Sequence, residues 1–337
     1  MRRREFCLTL LGLPALIRSA IAAEITTIRI AKQFGLPYLP LMVMEYQKLV
    51  EKHAAKQGLP SLRIEWVTLG GPSVVNDGLL SGQLQFGVAA IPSLATLWEK
   101  TVGTAQEVRA LSAVQSQPCV LMTRNPAIQS IRDFTEKDRI AVTAVKISVQ
   151  ALALEMAAAK EWGFDHYDKL DPLTVTFPHP DALAALLSGK SEINSHFAIT
   201  PYQYYELATP GIHQVLRSFD TFGGPHTNGA LLTTKRFYEI NPKVSAAVLA
   251  AQEEANVFIR EHPRDAAEIY RTITKDTHDT VDELTRIVVH PDTADYTTTP
   301  AGVMQFVQFM HKVGRIKRKP ESWKDLFSPA VHGLSGS

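Results

Sequence analysis

The feature that most constrains this chain is a repeated switch of its hydrophobic period, from two to about 3.6 and back. Ile28 and Ile30 alternate as in a strand, Gly35, Pro37 and Pro40 interrupt, and Val43, Tyr46, Val50 and His53 then recur on one helical face. Leu62, Ile64 and Trp66 predict a second strand, Gly70-Gly71-Pro72 a turn, Val74 to Leu80 a short helix, and Gln85 to Val88 a third strand. A second block of the same kind follows Ala110 to Val114. It has strand patterns at Cys119 to Thr123, Ile140 to Thr143, Thr174 to Phe177 and Ile193 to Ile199, and helical patterns at 148–163 and 181–187. Gly229 to Thr234 is the last strand-like run, and beyond Asn241 the spacing of Val244, Val248, Ala251, Ala255 and Phe258 is helical. Such alternation selects an α/β architecture, with largely parallel sheets and helices on both faces.

Length sets the number of such units. At 337 residues the chain exceeds one ordinary core and suits two domains of roughly 100 to 200 residues. There is no repeat, low-complexity tract or Gly/Ser-rich linker, so the chain is expected to cross between two lobes twice, near Gln115 to Pro118 and near Phe219 to Pro225. Lobe I then comprises 24–115 plus 226–337 and lobe II 116–225, with a cleft between them. In open α/β sheets ligands bind beyond the carboxyl ends of strands, where loops and helix N-termini converge.

The first 23 residues carry a different signal. Arg2, Arg3 and Arg4 precede an apolar run from Phe6 to Ile17 and the small-residue stretch Ala20-Ile21-Ala22-Ala23, the pattern of a cleaved export signal rather than of a buried helix. The run is too short for a hydrocarbon core of ~30 Å and contains Pro14. Arg3-Arg4-Glu5-Phe6-Cys7-Leu8 resembles a twin-arginine signal without its usual Ser or Thr, so Tat and Sec export both stand, to a periplasmic destination. Cys7 begins the apolar run instead of following it, which argues against a lipoprotein. Without 1–23 the chain has 31 basic and 33 acidic residues and one cysteine, Cys119, in the apolar run Pro118 to Met122. No basic field for nucleic acid exists, no intrachain disulfide can form, and Cys119 reads as buried and inert.

Local catalytic signatures are missing. Gly189-Lys190-Ser191 lacks the upstream glycine of a phosphate loop, since position 184 is alanine, and there is no G-x-G-x-x-G, G-x-S-x-G or H-E-x-x-H. The eleven histidines include no helical i, i+4 pair, so no metal is expected. His179, His196 and His226 fall beside strand ends or in a glycine-containing loop, where an imidazole can meet a polar ligand or remain a solvated loop residue.

Taken together, the export signal, Gln33-Phe34-Gly35, Gly70-Gly71-Pro72, Leu79 to Gly87 and Ala90-Ile91-Pro92-Ser93 resemble the periplasmic substrate-binding proteins of nitrate, sulfonate and taurine ABC importers, from Ile28 to about Phe327. Relatives of that family bind bicarbonate or a thiamine pyrimidine precursor. Ile131-Arg132-Asp133-Phe134 and Arg139 to Val142 are similar to the family's entry into the second lobe, followed by a helix opened by Ser148. The resemblance implies a type II periplasmic-binding-protein fold, capture of a small polar or anionic organic molecule, sulfonate-like or aromatic, or of an oxyanion by lobe closure, and an inner-membrane permease as partner. It implies a monomer with no cofactor and no catalysis. From the resemblance and from the residues' placement around the cleft, the expected ligand set is Gln33, Phe34, Gly35, Tyr38, Gly71, Pro92, Ser93, Gln115, Lys146, Ser148, His179, His196 and His226.

The sequence departs from the family at Glu192 to Phe197, where an Asp-Ala pair is usual, and the candidate loops contain no arginine, which leaves recognition to amides, hydroxyls, Lys146 and histidines. Two alternatives share the cleft. One is a binding protein or synthase related to the thiamine pyrimidine enzymes, although the cysteine-rich motif of those synthases is missing; the other is a receptor serving a membrane sensor.

Overall fold

The computed structural model describes residues 25–337, so the export signal, its cleavage site and Cys7 lie outside the described residues. The strands are β1 (Thr27–Lys32), β2 (Arg63–Thr68), β3 (Phe86–Ala89), β4 (Val108–Gln115), β5 (Val120–Thr123), β6 (Ile140–Val142), β7 (Thr174–Thr176), β8 (Ser195–Ala198), β9 (His213–Arg217) and β10 (Gly229–Thr234). They form two five-stranded sheets, ordered β2-β1-β3-β10-β4 and β7-β6-β8-β5-β9. The first half of the helices is α1 (Leu39–Tyr46), α2 (Leu49–Lys56), α3 (Pro72–Leu80), α4 (Ile91–Thr101), α5 (Val149–Trp162), α6 (His179–Ser188) and α7 (Tyr202–Leu207). The rest is α8 (Ser218–Phe222), α9 (Lys235–Ile240), α10 (Pro242–Glu261), α11 (Pro263–Thr274), α12 (Val281–Val288), α13 (Val303–Lys312) and α14 (Trp323–Leu326).

The sheets are mixed, not largely parallel. β1 pairs in parallel with β2 and β3, but β10 is antiparallel to β3 and β4; β6 is parallel to β7 and β8, but β5 is antiparallel to β8 and β9. The cause lies in the crossings. Gln115 at the end of β4 faces Gly229 at the start of β10, and Val120 at the start of β5 faces Arg217 at the end of β9. The chain thus leaves each sheet beside the point where the other crossing meets it, and strands that share an end in this way must run in opposite directions.

Two further differences from the sequence pattern have local causes. The face through Val43, Tyr46, Val50 and His53 belongs to two helices, because Lys48 takes a left-handed φ of 53° between them, which leaves Tyr46 exposed. β9 escapes the pattern because it is a half-buried edge strand without apolar alternation. The other elements follow their chemistry: Ser148 caps α5, Gly163 ends it in a positive-φ conformation, and Phe86 and Phe197 are fully buried in the two sheets. Burying such a side chain contributes about 2–3 kcal/mol. The late helices pack on the first sheet's side, α10 and α11 against α1 and α13 against α4. Cys119 is buried and unbridged, its thiol pushed up to about 12 by burial. No described helix is long and apolar enough to cross a membrane.

Candidate functional site

Four helix N-termini converge where the sheets face each other. Pro72 opens α3, Ala90 caps α4, Ser148 caps α5 and His179 opens α6; all four residues line a cavity of about 30 Å³. α3 and α4 flank the first sheet and α5 and α6 the second, so both sides supply free amides and the positive ends of helix dipoles. Gln33, Tyr38, Gln115 and Asn228 complete the wall from the first side, and Thr143 and Gln150 from the second. None of the lining side chains is Lys, Arg, Asp or Glu. A space of this size takes a group of a few heavy atoms, such as an oxyanion head.

Most of the polar lining is already held in place. Gln33 Nε2 donates to the Val88 carbonyl at 2.8 Å, and Asn228 Nδ2 to the Gln117 carbonyl at 3.0 Å. The Ser148 hydroxyl accepts from Ala151 N at 3.3 Å and donates to the Ala144 carbonyl at 2.8 Å, so it serves as a helix cap that also faces the cavity. Gln115 lines the cavity, and its Oε1 is buried with no hydrogen-bond partner. Thr143 Oγ1 donates to Gln150 Oε1 at 3.3 Å, and Gln150 Nε2 lies 3.3 Å from His179 Nε2.

Beside this cavity, with Gln33 as a common wall, is a chamber of about 430 Å³. Phe34, Tyr270 and Ile273 line it from the first side, and Leu183, Tyr202 and Tyr205 from the second. Tyr202 stacks on His179 with ring centroids 5.5 Å apart, so those two rings stand between the chambers. Tyr205 Oη donates to Asp276 Oδ2 at 2.8 Å across the cleft, and its ring stacks on His278 at 4.7 Å. Lys32 reaches this chamber but is engaged with Glu45 at 2.5 Å.

The structure sorts the sequence-derived site residues into three groups. Gln33, Tyr38, Gln115, Ser148 and His179 line the small cavity, and Phe34 lines the large chamber. Gly35 and Gly71 stand where the lobes touch: a Cβ on Gly71 would lie 2.6 Å from the Thr143 carbonyl oxygen and one on Gly35 2.9 Å from that of Thr200. Leu36 N donates to the same Thr200 oxygen at 2.9 Å, so the lobes meet with the cleft shut.

The remaining five line neither chamber. Pro92 is buried in the first turn of α4, and Ser93 ties that helix to α3 through Asn76 at 2.8 Å. The Lys146 side chain is 65% exposed and 3.9 Å from Asp171. His226 sits among Phe219, Phe222 and Phe306, its ring pushed down to about 4 by burial. His196 lies behind His179, whose Nδ1 is 2.8 Å from His196 Nε2. Sequence reasoning passed over Thr143, Gln150, Tyr202, Tyr205 and Glu206. Gln150 carried a usable signal as a polar residue in the first turn of the helix that Ser148 caps. No group of three or more His, Cys, Asp or Glu suited to a metal exists among the described residues.

Two sheets of this strand order, joined by two crossings and closing on a cavity of helix N-termini, define the periplasmic-binding-protein architecture of type II. Among solved structures the chain is similar to the alkanesulfonate-binding protein SsuA of Xanthomonas axonopodis pv. citri bound to MOPS, at 17% identity and a TM-score of 0.66, covering 88% of this chain and 96% of that one. It is also similar to the ligand-binding component of an ABC-type import system from Staphylococcus aureus with zinc bound, at 15% identity, TM-score 0.65, covering 93% and 99%. A Candida albicans gene product with the generic periplasmic binding protein fold matches at 14% identity, TM-score 0.64, covering 90% and 96%. No family model and no curated protein matches the sequence. At these identities the likeness establishes the fold.

Proposed function

We propose that this chain is the exported solute-binding component of an ABC importer, which captures a small organic molecule with an acceptor-rich head, a sulfonate or an aromatic acid, by closing its lobes. The observation that carries this is the convergence of four helix N-termini, two from each side, on a cavity with no charged side chain. Partial positive charge from both walls favours an anionic head without the desolvation of a buried arginine. The aromatic chamber next to it suits the organic body, as its volume falls in the range of small-molecule sites.

The moving bodies are lobe I, 24–115 with 226–337, and lobe II, 116–225, hinged at the crossings; the closed form presents the surface a permease recognises. The protein works as a monomer in the periplasm and binds without turnover. A thermal-shift screen with nitrate, bicarbonate, alkyl and aryl sulfonates, aromatic carboxylates and hydroxymethylpyrimidine phosphates tests the reading. A ligand at 100 times its Kd stabilises by about 2.7 kcal/mol. One class should shift the midpoint and be recovered unchanged after incubation. A folded, ligand-free protein indifferent to every compound, or one that converts its ligand, overturns the reading.

A further inference from the structure

Behind the small cavity runs a buried chain of hydrogen bonds that ligand capture as described above does not use. Gln150, on the cavity wall, meets His179 Nε2; His179 Nδ1 lies 2.8 Å from His196 Nε2; His196 Nδ1 lies 2.5 Å from Glu206 Oε1. His196 and Glu206 are fully buried and His179 is 4% exposed. Glu206 Oε2 is buried with no partner. Four groups on four elements, α5, α6, β8 and α7, thus form one line from the ligand space into the second lobe.

The chain has two self-consistent arrangements that differ by a single proton. With Glu206 protonated, its hydroxyl donates to His196 Nδ1, His196 Nε2–H donates to His179 Nδ1, and His179 Nε2–H donates to the Gln150 carbonyl. The Gln150 amide group then turns its NH₂ toward Thr143 and the cavity. With Glu206 ionised, both imidazoles change tautomer: His196 Nδ1–H donates to the carboxylate, His179 Nδ1–H to His196 Nε2, and His179 Nε2 accepts from the Gln150 NH₂. The Gln150 carbonyl then faces the cavity. Both imidazoles are neutral in each state. The bare Oε2 favours the protonated state, since an unpaired carbonyl oxygen costs far less to bury than an unpaired carboxylate oxygen. Burial acts the same way, holding Glu206 well above the usual carboxylate range and His179 and His196 below the usual imidazole range.

We propose that Glu206 is a positioning residue which, through His196 and His179, sets whether Gln150 presents a donor or an acceptor to the ligand, so that an anionic head is taken together with one proton held on Glu206. The proposal rests on the cleft being the ligand site. The surroundings leave this proton isolated from other titrating groups. Of the elements packed on α7, β5 carries none, α6 carries His179 and Asp181, and β9 carries His213, held by the Ile128 carbonyl, and Arg217, paired with Asp292. On α7 itself Tyr202 stacks on His179 and Tyr205 is bonded to Asp276, while Glu155 of α5 is paired with Arg315.

The first arm of the test needs no ligand. Imidazole ¹⁵N shifts of labelled protein between pH 5 and 9 should show His179 and His196 exchanging Nε2–H for Nδ1–H tautomers in one shared step. In Glu206→Gln, whose amide donates as the protonated acid does, both should keep the Nε2–H form throughout. His196→Phe cuts the line and should leave His179 without a step. Independent titration of the two rings to imidazolium, a single tautomer across the range in the native chain, or a step that survives in Glu206→Gln overturns the relay. The second arm titrates ethanesulfonate by calorimetry. Above the shared midpoint its affinity should fall tenfold per pH unit in the native chain and stay flat in Glu206→Gln. Equal slopes in the two proteins overturn the relay. A shared tautomer step with no panel compound bound at any pH supports the relay and sinks the ligand reading.

Discussion

A single methyl group is enough to test closure. Gly71 has an extended φ of 179° that any residue adopts, so its constraint is the Thr143 carbonyl oxygen 2.6 Å from where a Cβ would stand. Gly71→Ala therefore holds the lobes apart without straining the backbone. Ligand affinity by calorimetry should drop roughly tenfold or more while the ligand-free melting midpoint moves little, since apparent affinity scales with the population of the competent closed state. Gln115→Ala removes an acceptor that has no partner and that an acceptor-rich head does not need, so it should change affinity by less than about threefold. Lys146→Ala, at an exposed side chain on Asp171, should change affinity less than twofold. Residue-scale legibility divides along the same line. Gln33, Tyr38 and Ser148 could be found because they sit next to strand ends and helix caps. What hid Tyr202 and Tyr205 is that their helix follows β8 in sequence, while their partners come from α6 and from the segment after α11, a juxtaposition no local pattern encodes.

Helices and strands were the most readable level, and where the pattern misled, one residue or one edge explains it. α5 was legible at both ends because Ser148 and Gly163 carry standard cap chemistry. Ser148→Ala should lower the melting midpoint through the lost cap, about 1 kcal/mol, and also weaken ligand binding because that helix end faces the cavity. α8 and α13 contribute Phe222 and Phe306 to the cage around His226, and Phe219 of α8 closes it. Burial depresses this imidazole to about 4 from an ordinary 6.5. A base held neutral in the fold takes up its proton on unfolding, so its contribution is complete above about pH 6.5 and is lost as pH falls toward 4. Denaturant melts of the native chain and His226→Leu should differ in pH slope over that window, with His226 accounting for about 3 kcal/mol of acid destabilisation at most. Identical slopes would assign the acid sensitivity elsewhere.

At the scale of the whole molecule the lobes are joined by two short crossings and clasped by Leu36 on Thr200, Tyr205 on Asp276 and Arg217 on Asp292. If the lobes hinge on those crossings, a ligand stabilises closure only by as much as it prefers the closed state. Small-angle scattering of Gly71→Ala should give a larger radius of gyration than the native chain without ligand, and the native chain should not expand when ligand is added. Two α/β units were visible in the sequence because the alternation of strand and helix patterns runs too long for one core. The antiparallel strands were not, because direction depends on where a returning strand re-enters a sheet rather than on which residues it contains.

That re-entry also orders the assembly of the molecule in time. β10, near residue 230, inserts between β3 and β4, so as the chain emerges from its amino end those two strands wait with bare edges for more than a hundred residues. The second sheet, by contrast, draws all five of its strands from the uninterrupted stretch 120–217 and can be completed as soon as that stretch is free. The part of the protein made first is thereby the part finished last, and through that interval its exposed strand edges are the ones a chaperone would have to cover.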